Sequence, residues 1–321
     1  MTQLTLPVAF EPHKPDSLIA AQPARSPADR VALSVVTMRH YRIGPVALTL
    51  RSTVHGVVDE YHRLYRNHET ADASANGFRI DVVARRSRRT GLRHFHILAH
   101  GEQTATVRRR NRILPHVEGA INLLIARHLP HYLQIHASAL SRHGIGAVFP
   151  GSPGAGKSTL AAALLARGWA YATDEFALID PDDLRLVPYP RALSIKSGSV
   201  AALSRLGLPM DREALYSTKD KGPIRCLAPS RVRPDGIART CPVRLIVFPE
   251  YGDGAAPAIE PMSRAEAVFR ISRVSFNFLK FRDRGIELLT RLVRGARCYR
   301  LQTGDLEQSC RLVEACLYDV E

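Results

Sequence analysis

From Val31 onward, apolar and polar residues fall in patterns that suit strands with one buried face. VALSVVTM (31–38) leads to a turn at Ile43-Gly44-Pro45 and then to VALTLRS (46–52), both rich in β-branched residues. FRIDVVAR (78–85) and HFHILAHG (94–101) predict two more strands, with the basic run between them as an exposed turn. Residues 54–67 predict a short helix. In ILPHVEGAINLLIARHL (113–129) the period changes, and Val117, Ile121, Leu124 and Ile125 fall at helical spacing. Residues 31–130 therefore predict a small α/β N-terminal domain. Before it, residues 1–30 are rich in Pro, Ala, Ser and Asp and predict a flexible leader.

A second α/β domain is expected over 131–321. It opens with a strand (132–140), a turn at Gly144, a strand (146–150), a loop, and a helix running to about Arg167, which Gly168 stops. WAYATDEFALID then predicts a single strand, Asp180-Pro181-Asp182-Asp183 a turn, and LRLVPYP another strand.

The loop is GSPGAGKST: Gly151, Ser152, Pro153, Gly154, Ala155, Gly156, Lys157, Ser158 and Thr159. It fits G-x-x-x-x-G-K-[ST] and has the strand before it and the Ala/Leu helix after it that this motif requires. Its glycines open backbone conformations closed to other residues, so successive N–H groups can converge on phosphate oxygens. The helix beginning near Lys157 adds its positive N-terminal end. Lys157 is expected to reach the β- and γ-phosphates and Ser158 to ligate Mg²⁺.

Which reaction uses the nucleotide depends on neighbouring acids. Asp174 and Glu175 follow the loop helix directly and are adjacent. Two acids there can divide the work, one ligating Mg²⁺ and the other taking a proton from a hydroxyl nucleophile. Motors and molecular switches place a single metal-binding Asp on a buried strand, so the adjacent pair points away from both. His136, on the strand leading into the loop, reads on its own as a hydrogen-bonded structural histidine.

Charge changes this picture little. The net charge is +15, but only six of the 45 basic residues are lysines (14, 157, 196, 219, 221, 280). Such a bias toward arginine is what a GC-rich coding sequence produces, and it asks for no polyanion. The runs RRSRR (85–89) and RRRNR (108–112) contain no aromatics to stack on bases. They predict a solvated basic face or a surface for an acidic protein partner, with no dedicated nucleic-acid binding. The five cysteines show no metal spacing and suit reduced, buried thiols. No apolar run is long enough for a membrane span and the first residues do not read as a signal peptide, so a cytoplasmic protein is expected.

The run from His136 through GSPGAGKST to the Arg-Gly helix end and the Asp174-Glu175 pair resembles the catalytic domain of HPr kinase/phosphorylase. The resemblance is nearest to the HPr-kinase-related proteins found beside exosortase or peptide-modification genes. YPRALSIKSGSV (189–200), STKDKG (217–222), VFPEY (247–251) and SFNFLKF (275–281) match further landmarks of those proteins. The resemblance implies an α/β fold with a P-loop kinase domain of the HPr kinase/phosphoenolpyruvate carboxykinase type over 131–321.

It also implies an ATP- and Mg²⁺-dependent serine kinase. Asp174 would be the general base, Glu175 a metal ligand in place of the family's second Asp, and His136 the residue that orients Asp174. Arg191 and Lys196 become candidates to neutralise phosphate charge or hold the acceptor, with Lys219 and Lys221 behind them. The acceptor would be a protein or peptide encoded nearby, and the enzyme a homo-oligomer of unspecified size. Thr159 stands where HPr kinases usually have Glu, the N-terminal domain is unlike theirs, and no counterpart of their phosphorylase segment is present. The reverse activity and HPr itself as substrate are therefore not expected. Two other readings stay open: a nucleotide-binding regulatory or assembly protein without turnover, and a small-molecule kinase acting on a sugar or nucleoside alcohol.

Overall fold

In the computed structural model, which describes residues 36–318 apart from 72, 73, 75, 219–221 and 253, strand pairing begins at the expected turn. β1 (Thr37–Ile43) and β2 (Val46–Ser52) form an antiparallel hairpin around Gly44. A Cβ on Gly44 would lie 2.0 Å from the Pro188 carbonyl oxygen, and its φ is +55°, so only glycine fits this turn. The first strand lies later than expected, reaching the turn through TMRHYRI. The expected leader, most of the strand expected over 31–38, and Lys219 and Lys221 lie outside the described residues.

The first region continues with α1 (Val57–Tyr65), β3 (Glu69–Thr70), β4 (Phe78–Arg86), β5 (Arg93–Ala99), β6 (Glu102–Val107) and α2 (Ile113–His128). Its six strands are ordered β3-β1-β2-β4-β5-β6. Every second residue turns inward: Tyr41, Ile43, Leu48, Leu50, Ile80, Val82 and Ile97 pack with Tyr61 and Tyr65 of α1 and Val117 and Ile121 of α2. The other face carries Arg51, Arg79, Asp81 and His96. β6 has too few apolar residues to show the alternation and is an edge strand with mostly exposed side chains.

The larger sheet contains β7 (Leu133–Arg142), β8 (Ile145–Pro150), β9 (Ala170–Thr173), β10 (Phe176–Ile179), β11 (Arg185–Val187), β15 (Cys241–Tyr251), β16 (Ala258–Pro261) and β17 (Arg297–Thr303). Between β11 and β15 run a three-stranded sheet, β12 (Leu193–Lys196), β13 (Leu215–Ser217) and β14 (Pro223–Leu227), and the helices α4 (Ser197–Arg205) and α5 (Pro229–Val232). The order is β11-β10-β7-β8-β15-β17-β16, with β9 also on β7, and β11 pairs back onto β15.

Helices cover both faces of this sheet. α3 (Lys157–Ala166) and α8 (Leu306–Tyr318) share one core with Leu140, Phe149 and Leu245. α6 (Arg264–Val274) and α7 (Arg284–Arg294) share the other with Ile135, Ala137, Val148 and Ile246. A sheet covered on both faces has no wet side, which is why its strands read as near-continuous apolar runs. The chain is thus a mixed α/β protein, as expected. No helix among the described residues is long and apolar enough to cross a membrane.

One expected strand is two. WAYATDEFALID pairs with β7 as β9 up to Thr173↔Ala139 and again as β10 from Phe176↔His136. Asp174 and Glu175 sit in the break, and Glu175 has φ +94°, a value that turns a non-glycine backbone out of any strand. Phe176 and Leu178 of β10, with Tyr189 and Ala192 beyond it, pack into the core of the first sheet, so the hydrophobic core of that sheet reaches the edge of the break.

Candidate functional site

β7 is the strand on which the site is assembled. β8 pairs with one of its edges and delivers the glycine loop; β9 and β10 pair with the other and deliver the two acids. His136 and Ser138, two residues apart on β7, share the face that looks toward α3. The Gly151 N–H donates to the His136 carbonyl at 3.4 Å, so the loop departs beside the histidine.

The loop turns through Gly154 (φ +98°) and Gly156 (φ +88°), and Gly156 caps α3. The free N–H groups of the first turn of α3 therefore open into the cleft. The Lys157 side chain is buried, and its Nζ donates to the carbonyls of Gly151 (2.7 Å) and Ser152 (2.9 Å), arching over its own loop. Thr159 Oγ1 donates to Ser199 Oγ at 2.7 Å, tying the first turn of α3 to that of α4.

Opposite the loop, Asp174 is 4 % exposed and its Oδ1 accepts a 2.6 Å hydrogen bond from Ser138 Oγ. Glu175 lies between His136 and Arg191: His136 Nε2 is 3.8 Å from Oε1 and Arg191 Nη1 is 3.6 Å from Oε2. The His136 ring leans on Phe276, which stacks on Phe176 at 4.5 Å between ring centroids. Phe276 is carried by the stretch SFNFLKF. The neighbouring Asn277 pins that stretch to β7 by accepting from the Gln134 N–H (2.9 Å) and donating to the Tyr132 carbonyl (2.8 Å).

The structure brings most of the expected residues together. A cleft of about 90 Å³ is lined by His136, the loop from Pro153 to Thr159 except Ala155, both acids, Ser194, Lys196 and Ser199. Lys196 is exposed at the end of β12. Gly151, Ser152 and Ala155 form the loop behind this lining. Arg191 is placed differently: it does not line the cleft but lies buried behind Glu175. Its Nη2 donates to Glu118 Oε2 at 3.1 Å, and Glu118 Oε1 accepts from Tyr65 Oη at 2.7 Å. Burial opposes the Arg191 charge, but the Glu118 and Glu175 carboxylates outweigh it and hold the guanidinium charged well above its usual range. Burial and the Glu118 carboxylate push the Tyr65 phenol up, so it stays a neutral donor.

Sequence reasoning missed Ser138, Ser194, Ser199, Glu118 and Tyr65. Two signals were present. Ser138 follows His136 at the strand period. Glu118 falls on the apolar stripe of α2, in line with Leu114, Ile121 and Ile125, where an unpaired carboxylate would be costly.

The donor set suits a magnesium-bound nucleotide. Among the described residues no three His, Cys, Asp or Glu side chains gather as a complete metal cage. The cleft instead sets two carboxylates, Asp174 and Glu175, opposite the loop with its backbone donors, Lys157 and the Ser158 hydroxyl. Mg²⁺ is held in this way, by one or two carboxylates with phosphate oxygens and water filling the rest.

No family model and no curated protein matches the chain. Among solved structures, the Hpr(Ser) kinase/phosphatase from Coxiella burnetii is similar over 58% of this chain and 97% of its own, at 14% sequence identity and a TM-score of 0.28. The chemistry of the site accordingly rests on its own residues.

Proposed function

We propose that this protein is an ATP- and Mg²⁺-dependent kinase with a P-loop catalytic domain, transferring the γ-phosphoryl group to a serine or similar hydroxyl of a protein or peptide. The observation that carries this reading is the cleft in which a buried carboxylate, Asp174, faces the loop of Lys157 and Ser158. A phosphate cradle without such an acid would bind a nucleotide and stop there.

In this reading the loop N–H groups and the N-terminus of α3 bind the phosphates. Lys157 exchanges its two loop carbonyls for β- and γ-phosphate oxygens. Ser158 and Glu175 hold Mg²⁺, which neutralises charge on the transferring group when bound. Ser138 fixes the Asp174 rotamer through Oδ1, leaving Oδ2 to take the proton of the attacking hydroxyl. The hydroxyl oxygen forms its bond to the γ-phosphorus as the bond to the β-bridging oxygen breaks, and ADP departs. His136 holds Glu175 from the β7 side, and Lys196, at the exposed mouth, meets the acceptor or the outer phosphate.

The test is transfer of labelled phosphate from ATP to proteins encoded beside this one, with mapping of the modified residue. Asp174→Asn keeps the shape and the Ser138 contact but removes the base. Nucleotide binding should persist while transfer falls by about 10²–10⁴-fold. Transfer at the wild-type rate in this variant would remove Asp174 from the reaction.

A further inference from the structure

Glu175, Arg191, Glu118 and Tyr65 make a chain of contacts that crosses from the cleft into the first sheet's helices. Tyr65 ends α1, Glu118 lies in the first half of α2, Arg191 lies between β11 and β12, and Glu175 sits in the break between β9 and β10. The steps lengthen toward the site: 2.7 Å from Tyr65 Oη to Glu118, 3.1 Å from Glu118 to Arg191, and 3.6 Å from Arg191 to Glu175. The Ala192 N–H donates to Tyr65 Oη at 2.9 Å, and Tyr171 Oη donates to the Arg191 carbonyl at 2.9 Å, so the backbone on both sides of the arginine is also fixed.

A buried ion pair is weak evidence for stability, because removing both charges from water costs about as much as their attraction returns. The arrangement needs another reason, and the unequal distances supply one. Arg191 hydrogen-bonds Glu118, while its Nη1, buried and without a hydrogen bond among the described residues, meets Glu175 only at ion-pair distance. Glu118 neutralises most of the guanidinium charge. Glu175 is then steered without being fully neutralised, and keeps charge for a cation in the cleft. Its left-handed backbone makes such steering necessary, since no strand geometry aims this side chain.

We propose that Tyr65, Glu118 and Arg191 form a brace through which the N-terminal α/β layer positions Glu175 for magnesium-bound phosphates. The proposal rests on the kinase reading above. Arg191 is here a positioning residue, and the N-terminal layer is part of the site's machinery.

The test uses the full chain and a fluorescent trinitrophenyl-ATP, titrated with Mg²⁺ and, separately, in EDTA. Glu118→Gln leaves the Arg191 charge with Glu175 as its only partner. The Mg²⁺ concentration for half-maximal nucleotide binding should rise by about tenfold, the usual effect of one neighbouring charge on a carboxylate. Binding in EDTA should stay unchanged, and Glu118→Asp, which restores the charge, should recover most of the loss. If circular dichroism shows Glu118→Gln unfolded, Tyr65→Phe takes its place: it removes the 2.7 Å hydrogen bond that holds Glu118 and leaves every charge of the brace present. Its Mg²⁺ midpoint should rise in the same direction by a smaller factor, again with binding in EDTA unchanged.

A folded variant of either kind with the wild-type Mg²⁺ midpoint overturns the brace. So does one that weakens binding equally in EDTA, the mark of a merely structural pair. Wild-type protein that binds the analogue with no response to Mg²⁺ would instead count against the kinase reading itself.

Discussion

In β5, buried Phe95, Ile97 and Ala99 alternate with half-exposed His94, His96 and Leu98; in β10, Phe176, Ala177, Leu178 and Ile179 are all buried. The two strands belong to sheets with different surroundings. The six-stranded sheet has helices on one face only, so every second position meets water and takes polar residues freely. The larger sheet lies between two helical layers, and its central strands offer few such positions, although β16 at its edge is mostly exposed. Polar groups buried in this sheet carry partners, on the unbroken strand β7 as at Gln134 and Ser138, and at the break as at Asp174 and Glu175, where Ser138 meets the first carboxylate and His136 and Arg191 the second. The contrast explains why the chemistry gathers at an interruption between strands. Here both carboxylates lie beside the glycine loop where the backbone leaves the ladder, with a hydroxyl of β7 and the buried Arg191 as partners.

The same substitution made in both regions tests this most sharply. Arg191→Met strands Glu118 in the interior and should cost about 3–5 kcal/mol, the usual result of removing one partner of a buried pair. Arg85→Met, at an exposed position near the end of β4, should change stability by no more than about 0.5 kcal/mol. Urea midpoints at unchanged slope measure both. Equal small effects would mean that the Arg191 network is not the closed, desolvated cluster described.

A second test follows the period along each strand. In β5, Ile97→Ala should cost about 2–5 kcal/mol, and its neighbour His96→Ala about 1 kcal/mol or less. In β10 the period should vanish, with Leu178→Ala and Ile179→Ala each costing about 2–5 kcal/mol. Alternation in β10 would show that one of its faces is wetter than the two cores it joins allow, the first sheet's core at Leu178 and the α6–α7 core at Ile179.

This difference in surroundings also decided what could be read without the structure. Alternation marks β2, β4 and β5 because water lies on one side of each, and helical spacing marks α2 through Val117, Ile121 and Leu124. The glycine loop and its lysine are legible because G-x-x-x-x-G-K-[ST] between a strand and a helix is a fixed pattern of residue types and spacing. The break between Thr173 and Phe176 is not legible: in a sheet buried on both faces, apolar residues continue on either side of it, and WAYATDEFALID looks like one strand. Arg191 became a candidate to neutralise phosphate charge or hold the acceptor through the family resemblance of YPRALSIKSGSV. Its distance from the cleft depends on Glu118 and Tyr65, 73 and more residues away in sequence, and no local pattern reports a pairing of that range. Glu118 itself was the available clue, a carboxylate on the apolar stripe of a helix.

Two ion pairs of equal length complete the comparison. Arg39–Glu69 on the first sheet and Arg167–Glu314 between α3 and α8 both close to 2.6 Å. Glu69 is solvated and its attraction to Arg39 is screened, so Glu69→Gln should leave the unfolding midpoint where it is at physiological salt. Glu314 is held by two cations, Arg167 from the end of α3 and Arg142 from β7 at 3.0 Å, with its side chain 17% exposed. Burial pushes its carboxyl up, but the Arg167 hydrogen bond and the two guanidinium charges outweigh this and hold it below the ordinary range. Because the folded value lies below the unfolded one, the stabilisation is complete above the ordinary glutamate value of about 4.3 and is lost as pH falls through the folded value. Glu314→Gln should therefore lower stability by about 1 kcal/mol at pH 7, and the gap to wild type should close toward pH 3. Denaturation of both proteins across that range reads the effect directly. A gap that persists unchanged at pH 3 would assign the loss to packing of α8 on α3, and would leave the two ion pairs equally silent despite their different burial.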